Sequence, residues 1–380
     1  MRPQDYAPVS HAESHEYELN FGPNHPGIEG NYALKVRLRG DTVVHARADG
    51  GYLHRGFEKL MEGRLWVQNI ALVPRICVPD PAPMEVCYSL AVEAIGGLEV
   101  PERAQWLRVL QLELSRIAAH LFTFGGHAAT TGMYSPSYWG VADRDLILDL
   151  FEELSGGRVY HIYNIPGGVR RAMPEGYAER VRAVLDYLET RLPEYDDLLF
   201  KNPVFVRRAK GAGVMTQAQA LAWGVTGPNL RATGLAFDVR RDDPYLVYDR
   251  LEFEVATETG GDAWARALVR RKELFESIRI CRQVLAALPE LSGPVRGPIP
   301  NPLAWNLPAG ESYSRVESSK GELAYYVVSD GGDRPHRVHV RGPSSMHAVS
   351  VLEKLVTGDR LEDVAQIMFS LDACPPEVDR

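Results

Sequence analysis

Cysteine is scarce in this chain, four in 380 residues. That density is too thin for a disulfide scaffold and points to a reducing compartment. No run approaches the roughly 18 consecutive apolar residues that a bilayer-spanning helix needs. The opening segment, MRPQDYAPVSHAESHEYELN, lacks the apolar stretch of a signal peptide. Basic runs are missing as well: 42 Lys and Arg against 50 Asp and Glu leave a net charge of −8, which argues against nucleic acid as a partner. Composition alone therefore places the protein in the cytoplasm unless a partner holds it at a membrane. Familiar catalytic motifs are missing too. The glycine pairs Gly167-Gly168 and Gly331-Gly332 and the Gly211–Gly213 segment lack the spacing of phosphate-binding loops. No G-x-S-x-G, H-E-x-x-H or C-x-x-C occurs, so the chain is expected to bind no ATP, no dinucleotide and no metal of its own.

What is present is an ordinary folded composition, 45% apolar and 24% charged, on a chain long enough for a large core. Residues 1–20 are polar and read as a mobile arm or one that pairs with a partner. Between Tyr32 and Ala48 apolar and charged residues alternate around a Gly40-Asp41 turn, the pattern of a hairpin. From Arg55 the period becomes helical. Pro74–Pro83 holds four prolines and breaks it. Helices are expected over 84–95, 102–124 (ending at Gly125-Gly126), 145–154, 177–192 and 262–288. Strands return at 323–328 and 338–341, followed by two short helices near 346–356 and 361–369. The fold class is α+β, mainly α: a helical bundle with small antiparallel sheets at both ends. Three regions follow: 1–50, an N-terminal loop and sheet; 51–290, the bundle; 291–380, strands and short helices.

Glu113, Arg116 and His120 are spaced by three and four, so they share one face of a helix that is apolar almost all round. Charges there must be paired. They read either as an internal ion pair that fixes packing or as a polar path to a functional cavity. Cys87 and Cys281 fall on helical faces and read as small core residues. Cys77 and Cys374 lie outside such periodicity. The loop FGPNHPGIEG over 21–30 is shaped by its glycines and prolines and carries His25 and Glu29; loops of that kind often hold function.

Five segments occur in one order: FGPNHPGIEG at 21–30, GYLHRGFEK at 51–59, LELSRIAAHL at 112–121, GELAYYVVSDGG at 321–332, and SLD followed by EVDR at the end. Together they resemble the 49-kDa-type subunit of respiratory complex I, the NADH:quinone oxidoreductase, from about residue 18 to Arg380. ILDLFEELSG at 147–156 and LRATG at 230–234 agree as well. The resemblance implies a fold related to the large subunit of nickel–iron hydrogenases, with the metal lost and a quinone chamber in its place. It implies a peripheral subunit on the cytoplasmic side of the cell membrane. Its partners would be an iron–sulfur subunit carrying the terminal cluster, a subunit of the C type and a membrane subunit at the quinone entrance. Quinone would be the substrate, while the iron–sulfur cluster, FMN and NAD would sit on partner subunits and no cofactor on this chain.

The same resemblance implies roles for particular residues. His25 and Glu29 would deliver protons to the quinone, with Glu29 at a position where relatives carry His. A Glu there is expected either exposed and uninvolved or buried with a raised pKa. Arg55, in LHRGFEK, and Arg75 would face the neighbour's cluster. Val78 and Thr130 align with a Tyr and an Asp of the relatives' quinone pocket. Cys77 and Cys374 match the first cysteine of each hydrogenase metal-binding pair, and Asp80 and Glu377 stand at the second positions. These cysteines would face each other across the former metal pocket, with the two carboxylates nearby. Glu113, Arg116 and His120 would form a supporting polar layer. Two other readings are open: the large-subunit homologue of a membrane-bound, hydrogenase-related complex with a non-quinone acceptor or non-NADH donor, and a purely structural subunit.

Overall fold

The computed structural model describes residues 16–25 and 30–380. Glu29 and residues 1–15 lie outside them. Two strands, β2 (Ala33–Arg39) and β3 (Thr42–Asp49), form the expected hairpin around Gly40-Asp41. Leu34, Val36 and Leu38 point inward and Lys35, Arg37 and Arg39 outward, as the alternation dictates. The polar arm expected over 1–20 is corrected in its last part: Glu16–Phe21 is strand β1, paired antiparallel to β2. The strand is largely exposed, although Tyr17, Leu19 and Phe21 alternate with Glu16, Glu18 and Asn20; Glu16 is held by Arg37 and Arg39 at 3.2 and 2.6 Å.

Helix α1 (Phe57–Glu62) is short. Helix α2 (Pro81–Gly96) begins at its first proline, whose missing N–H costs nothing in the first turn. Helix α3 (Glu102–Thr130) is the axis of the molecule and packs against α4 (Tyr134–Ser155) and against α6 (Ala263–Ala287). Helix α5 (Tyr177–Tyr195) packs outside α4. The expectation that α3 stops at Gly125-Gly126 is wrong. A Cβ on Gly125 would sit 2.9 Å from the carbonyl oxygen of Ser137, and one on Gly126 would sit 2.7 Å from the Phe369 ring. These glycines let neighbouring segments approach, and the helix runs through them at a cost of about 1 kcal/mol each.

A small ribbon, β4 (Asn164–Ile165) with β5 (Gly168–Val169), follows α4. Toward the C-terminus β6 (Gly310–Ser318), β7 (Gly321–Ser329) and β8 (Arg337–Arg341) make an antiparallel sheet in that order, on which α2 packs. Strand β6 is absent from the sequence pattern, since only its last third is buried. The chain closes with α7 (Val364–Leu371) and α8 (Pro375–Asp379). One apolar core runs through these parts, from Tyr32 to Cys374. Among the described residues no helix is long and apolar enough to cross a membrane.

Candidate functional site

The β6–β7 hairpin has a two-residue tip, Ser319-Lys320. Hairpin tips normally lie in water. This one is driven into the centre of the molecule, and Lys320 is 1% exposed. Asp80, at the N-terminus of α2, receives it: one carboxylate oxygen accepts the Ser319 N–H at 2.8 Å and the other accepts the Ser115 hydroxyl of α3 at 2.6 Å. The buried ammonium of Lys320 then reaches Asp372 at 2.8 Å. Asp372 ends α7 in the left-handed region, at φ 52, a conformation non-glycine residues adopt when the surroundings impose it. Arg270 of α6 adds a second cation 3.7 Å from the same carboxylate.

Two residues beyond Asp372, the Cys374 thiol lies beside that of Cys77. Both are free thiols and both are buried. Glu377, also buried, touches Cys77 and accepts the Ser344 N–H at 2.9 Å. A Cβ on Gly342 would lie 2.5 Å from that carboxylate, so this glycine makes the room it occupies. Burial opposes ionisation of Cys374, but the Cys77 hydrogen bond, the Lys320 charge and the Val78 N–H together hold its thiol below the ordinary value. For Cys77, burial and the Cys374 contact push the thiol well up. Burial likewise raises Glu377.

Above the thiols lies an arginine surface. Arg55 is exposed, yet its guanidinium donates to the carbonyls of Arg75 at 2.9 Å and Pro376 at 3.2 Å. Those residues sit two positions from Cys77 and Cys374, so Arg55 clasps the two cysteine-bearing segments together. Arg75 stands 4.8 Å over the Tyr160 ring. Glu85 of α2 positions that stretch by accepting the N–H groups of Ile162, Tyr163 and Asn164 at 2.6, 3.0 and 3.0 Å. Gly30 packs against Pro375, at the rim of the same site.

The structure thus brings together Arg55, Arg75, Cys77, Val78, Cys374 and Glu377. His25 stays exposed at the loop's start, edge-on to Phe21 at 5.0 Å. The expectation for Glu29 falls outside the described residues. Thr130 goes elsewhere: its hydroxyl bonds Gln366, which bonds His127 at 2.9 Å, at the end of α3. Asp80 holds Ser115 and the hairpin tip at Ser319 through its two carboxylate oxygens. Among the described residues no group of three or more His, Cys, Asp or Glu is arranged to hold a metal ion.

Glu113, Arg116 and His120 belong to one buried network. Glu113 accepts from Arg116, Arg240, Ser277 and Tyr248, the last two at 2.6 Å. Arg116 also donates to the carbonyls of Glu317 and Ser318 at 2.6 and 2.9 Å, fixing the hairpin just before its tip. His120 meets Glu273 at 3.1 Å, and Arg231 joins Glu273 to Glu317 at 2.7 and 2.8 Å. Burial opposes the charge on Glu273, but Arg231 and His120 outweigh it and lower its pKa. Sequence reasoning missed Lys320, Asp372, Arg231, Arg240, Glu273 and Glu317. The available signal was a lysine at a short turn, Ser319-Lys320-Gly321, before the alternating run of β7.

The family model for the 49-kDa subunit of respiratory-chain NADH dehydrogenase matches residues 130–301 and 302–380. The chain is 50% identical to an NADH-quinone oxidoreductase subunit of Thermosipho melanesiensis over 96% of its length and 100% of that protein's. It is 40% identical to an F(420)H(2) dehydrogenase subunit of Methanosarcina mazei, over 97% of its length and 99% of that protein's. Among solved structures, a chain of the membrane-bound sulfane sulfur reductase, an archaeal respiratory membrane complex, superposes with a TM-score of 0.93 at 49% identity, covering 98% of this chain and 100% of that one.

Proposed function

The chain belongs to the 49-kDa-subunit family of respiratory-chain NADH dehydrogenases, and from that premise we propose that it is the peripheral-arm subunit that forms the quinone-reduction chamber of a proton-pumping NADH:quinone oxidoreductase. The observation that carries this reading is the convergence of Arg55, Arg75 and Val78 on one rim, with Gly30 packed beside it on Pro375. The iron–sulfur partner would lie over that rim and pass electrons across it; FMN and NAD would sit on further subunits. A guanidinium facing such a cluster favours its reduced form electrostatically.

Reducing a quinone to a quinol requires two protons where water is scarce, so side chains must supply them. His25 and Glu29 would do so. Glu377 and Lys320 lie beneath and set the local charge. The chain would be held on the cytoplasmic face by membrane subunits.

The test is to purify the assembled complex through a tag on this chain and measure NADH oxidation with a short-chain quinone as acceptor. The reading expects coupled quinol formation that quinone-site inhibitors abolish. A complex that turns over no quinone with NADH contradicts it. A second reading keeps the chamber but changes the substrates: Val78 and the displaced Thr130 leave the pocket without the tyrosine and aspartate expected of a quinone site. Activity with another donor or acceptor, or nickel in the purified assembly, would favour that reading.

A further inference from the structure

Among the described residues three that are not glycine hold a positive φ: Ile162, Leu246 and Asp372. Asp372 belongs to the buried ion pair. Ile162, at φ 46, is β-branched, and a branched side chain enters that region only where its surroundings impose it. Glu85 imposes it. Successive N–H groups around a left-handed residue converge and make a cradle for an anion. Here the anion is the fully buried Glu85 carboxylate, which accepts from the N–H groups of Ile162, Tyr163 and Asn164 and from the Asn164 side chain at 3.1 Å. Two turns along α2, Glu93 is matched by Arg108 at 3.0 Å. No such cation meets Glu85 among the described residues, so amide groups alone hold it. The same stretch is gripped from α3, where Gln111 donates to His161 Nδ1 at 3.0 Å and accepts from Asn164. The His161 ring also lies 3.9 Å from that of Phe151 in α4. Tyr160, half-buried and next in the chain, therefore has a fixed place. Its ring lies under the Arg75 guanidinium at 4.8 Å. Arg75 donates to the Ala71 carbonyl, and no carboxylate among the described residues pairs with it, so the ring is what sets the guanidinium's plane.

We propose that Glu85 and Tyr160 are positioning residues for the acceptor site: the Glu85 cradle sets the backbone at Ile162, and that backbone holds the Tyr160 ring as the platform that keeps the Arg75 guanidinium on the rim. The role for turnover rests on the reading of that rim as the wall of the quinone chamber; the placement of Arg75 does not. What matters in Tyr160 is its aromatic face, which attracts the cation, and not its hydroxyl. Tyr160→Phe keeps that face and Tyr160→Leu removes it. Glu85→Gln keeps the shape of the side chain but replaces one acceptor oxygen by an NH₂ group that cannot accept, so part of the cradle opens.

The test uses the full chain in its purified complex and two readouts. Phenylglyoxal, which modifies accessible guanidinium groups, is applied to the complex, and its rate at Arg75 is followed by mass spectrometry. Arg75 should react several-fold faster in Tyr160→Leu and in Glu85→Gln, and at the parent rate in Tyr160→Phe. NADH oxidation with a short-chain quinone is measured on the same proteins. Tyr160→Leu and Arg75→Met should each lower kcat/KM several-fold, Tyr160→Phe should restore it, and the double variant should fall no further than Arg75→Met alone. A ring that only packs the loop would give losses that multiply. Arg75 labelled at the parent rate in Tyr160→Leu, or in an assembled Glu85→Gln complex, overturns the proposal, and so do losses that multiply. Should Glu85→Gln fail to assemble, Tyr160→Leu, at a half-buried position, carries both readouts. A parent complex that turns over no quinone with NADH defeats the chamber reading instead, and the labelling rates alone then decide the placement of Arg75.

Discussion

Lys320 and Asp372 form an ion pair of 2.8 Å with both side chains buried. The pair joins a hairpin tip to the end of α7, and it is the point from which the site's geometry is set. Removing one partner of such a pair leaves the other charge uncompensated, which costs about 3–5 kcal/mol. Lys320→Met should therefore lower the denaturation midpoint of the full chain by that order and loosen the Cys374 segment. An unchanged midpoint would show that Arg270 alone satisfies Asp372.

Gly342→Ala places a methyl group where Glu377 now sits. The backbone there is ordinary, at φ −87, so the effect is contact and not strain. Displacing Glu377 from Ser344 should cost about 1–3 kcal/mol. Chemical denaturation measures the loss, and a stability equal to the parent would place Glu377 elsewhere.

How far this site was legible in the sequence depends on what each residue's position advertises. Arg55, Arg75 and the two cysteines fall in segments broken by Gly and Pro, where side chains stand apart from a periodic pattern, and they did converge. The strand hairpin β2–β3 and the long bundle helices followed from apolar period alone. Lys320 was missed because a Lys-Gly turn in an alternating region reads as a solvated hairpin tip; only the packing of α2, α3 and α7 around it turns that tip inward. Thr130 was misplaced because one turn of helix beyond Gly125-Gly126 carries it to Gln366 instead. Strand β1 was missed although Tyr17, Leu19 and Phe21 alternate with Glu16, Glu18 and Asn20, because the polar residues before it made the whole opening segment read as an arm.

Acid should destabilise the fold through three buried histidines. Burial, their largest influence, lowers His127, His161 and His347 from 6.5 to about 3. The unfolded chain takes up protons there at a pH where the folded chain does not. Stability is then complete above about pH 6.5 and declines down to about pH 3, by roughly 1.4 kcal/mol per pH unit per histidine. Denaturant midpoints at pH 7 and pH 5 measure this, and equal midpoints would contradict it. His161→Gln should reduce the slope.

Arg55→Lys keeps the charge but cannot span two carbonyls as a guanidinium fork does. Losing one or two surface hydrogen bonds costs about 1 kcal/mol. Amide exchange in Glu377–Arg380 should speed up several-fold while the bundle helices stay protected. Exchange identical to the parent would mean that Arg55 does not hold the C-terminal segment.

Glu29→Gln removes a proton carrier from the loop while keeping its shape. Loss of a general acid costs about 10²-fold or more in turnover, so NADH:quinone activity of the assembled complex should fall by that factor. Unchanged activity would remove Glu29 from the mechanism and leave His25 alone on the loop.

The most direct measurement is photolabelling of the intact complex with an azido-quinone, followed by peptide mapping. The account predicts label on this chain in the segments that hold Arg55, Arg75–Val78 and Cys374–Glu377, and its loss when excess quinone competes. Label confined to other subunits, or label on this chain that quinone does not displace, would contradict the assignment of the arginine rim as the wall of the acceptor chamber.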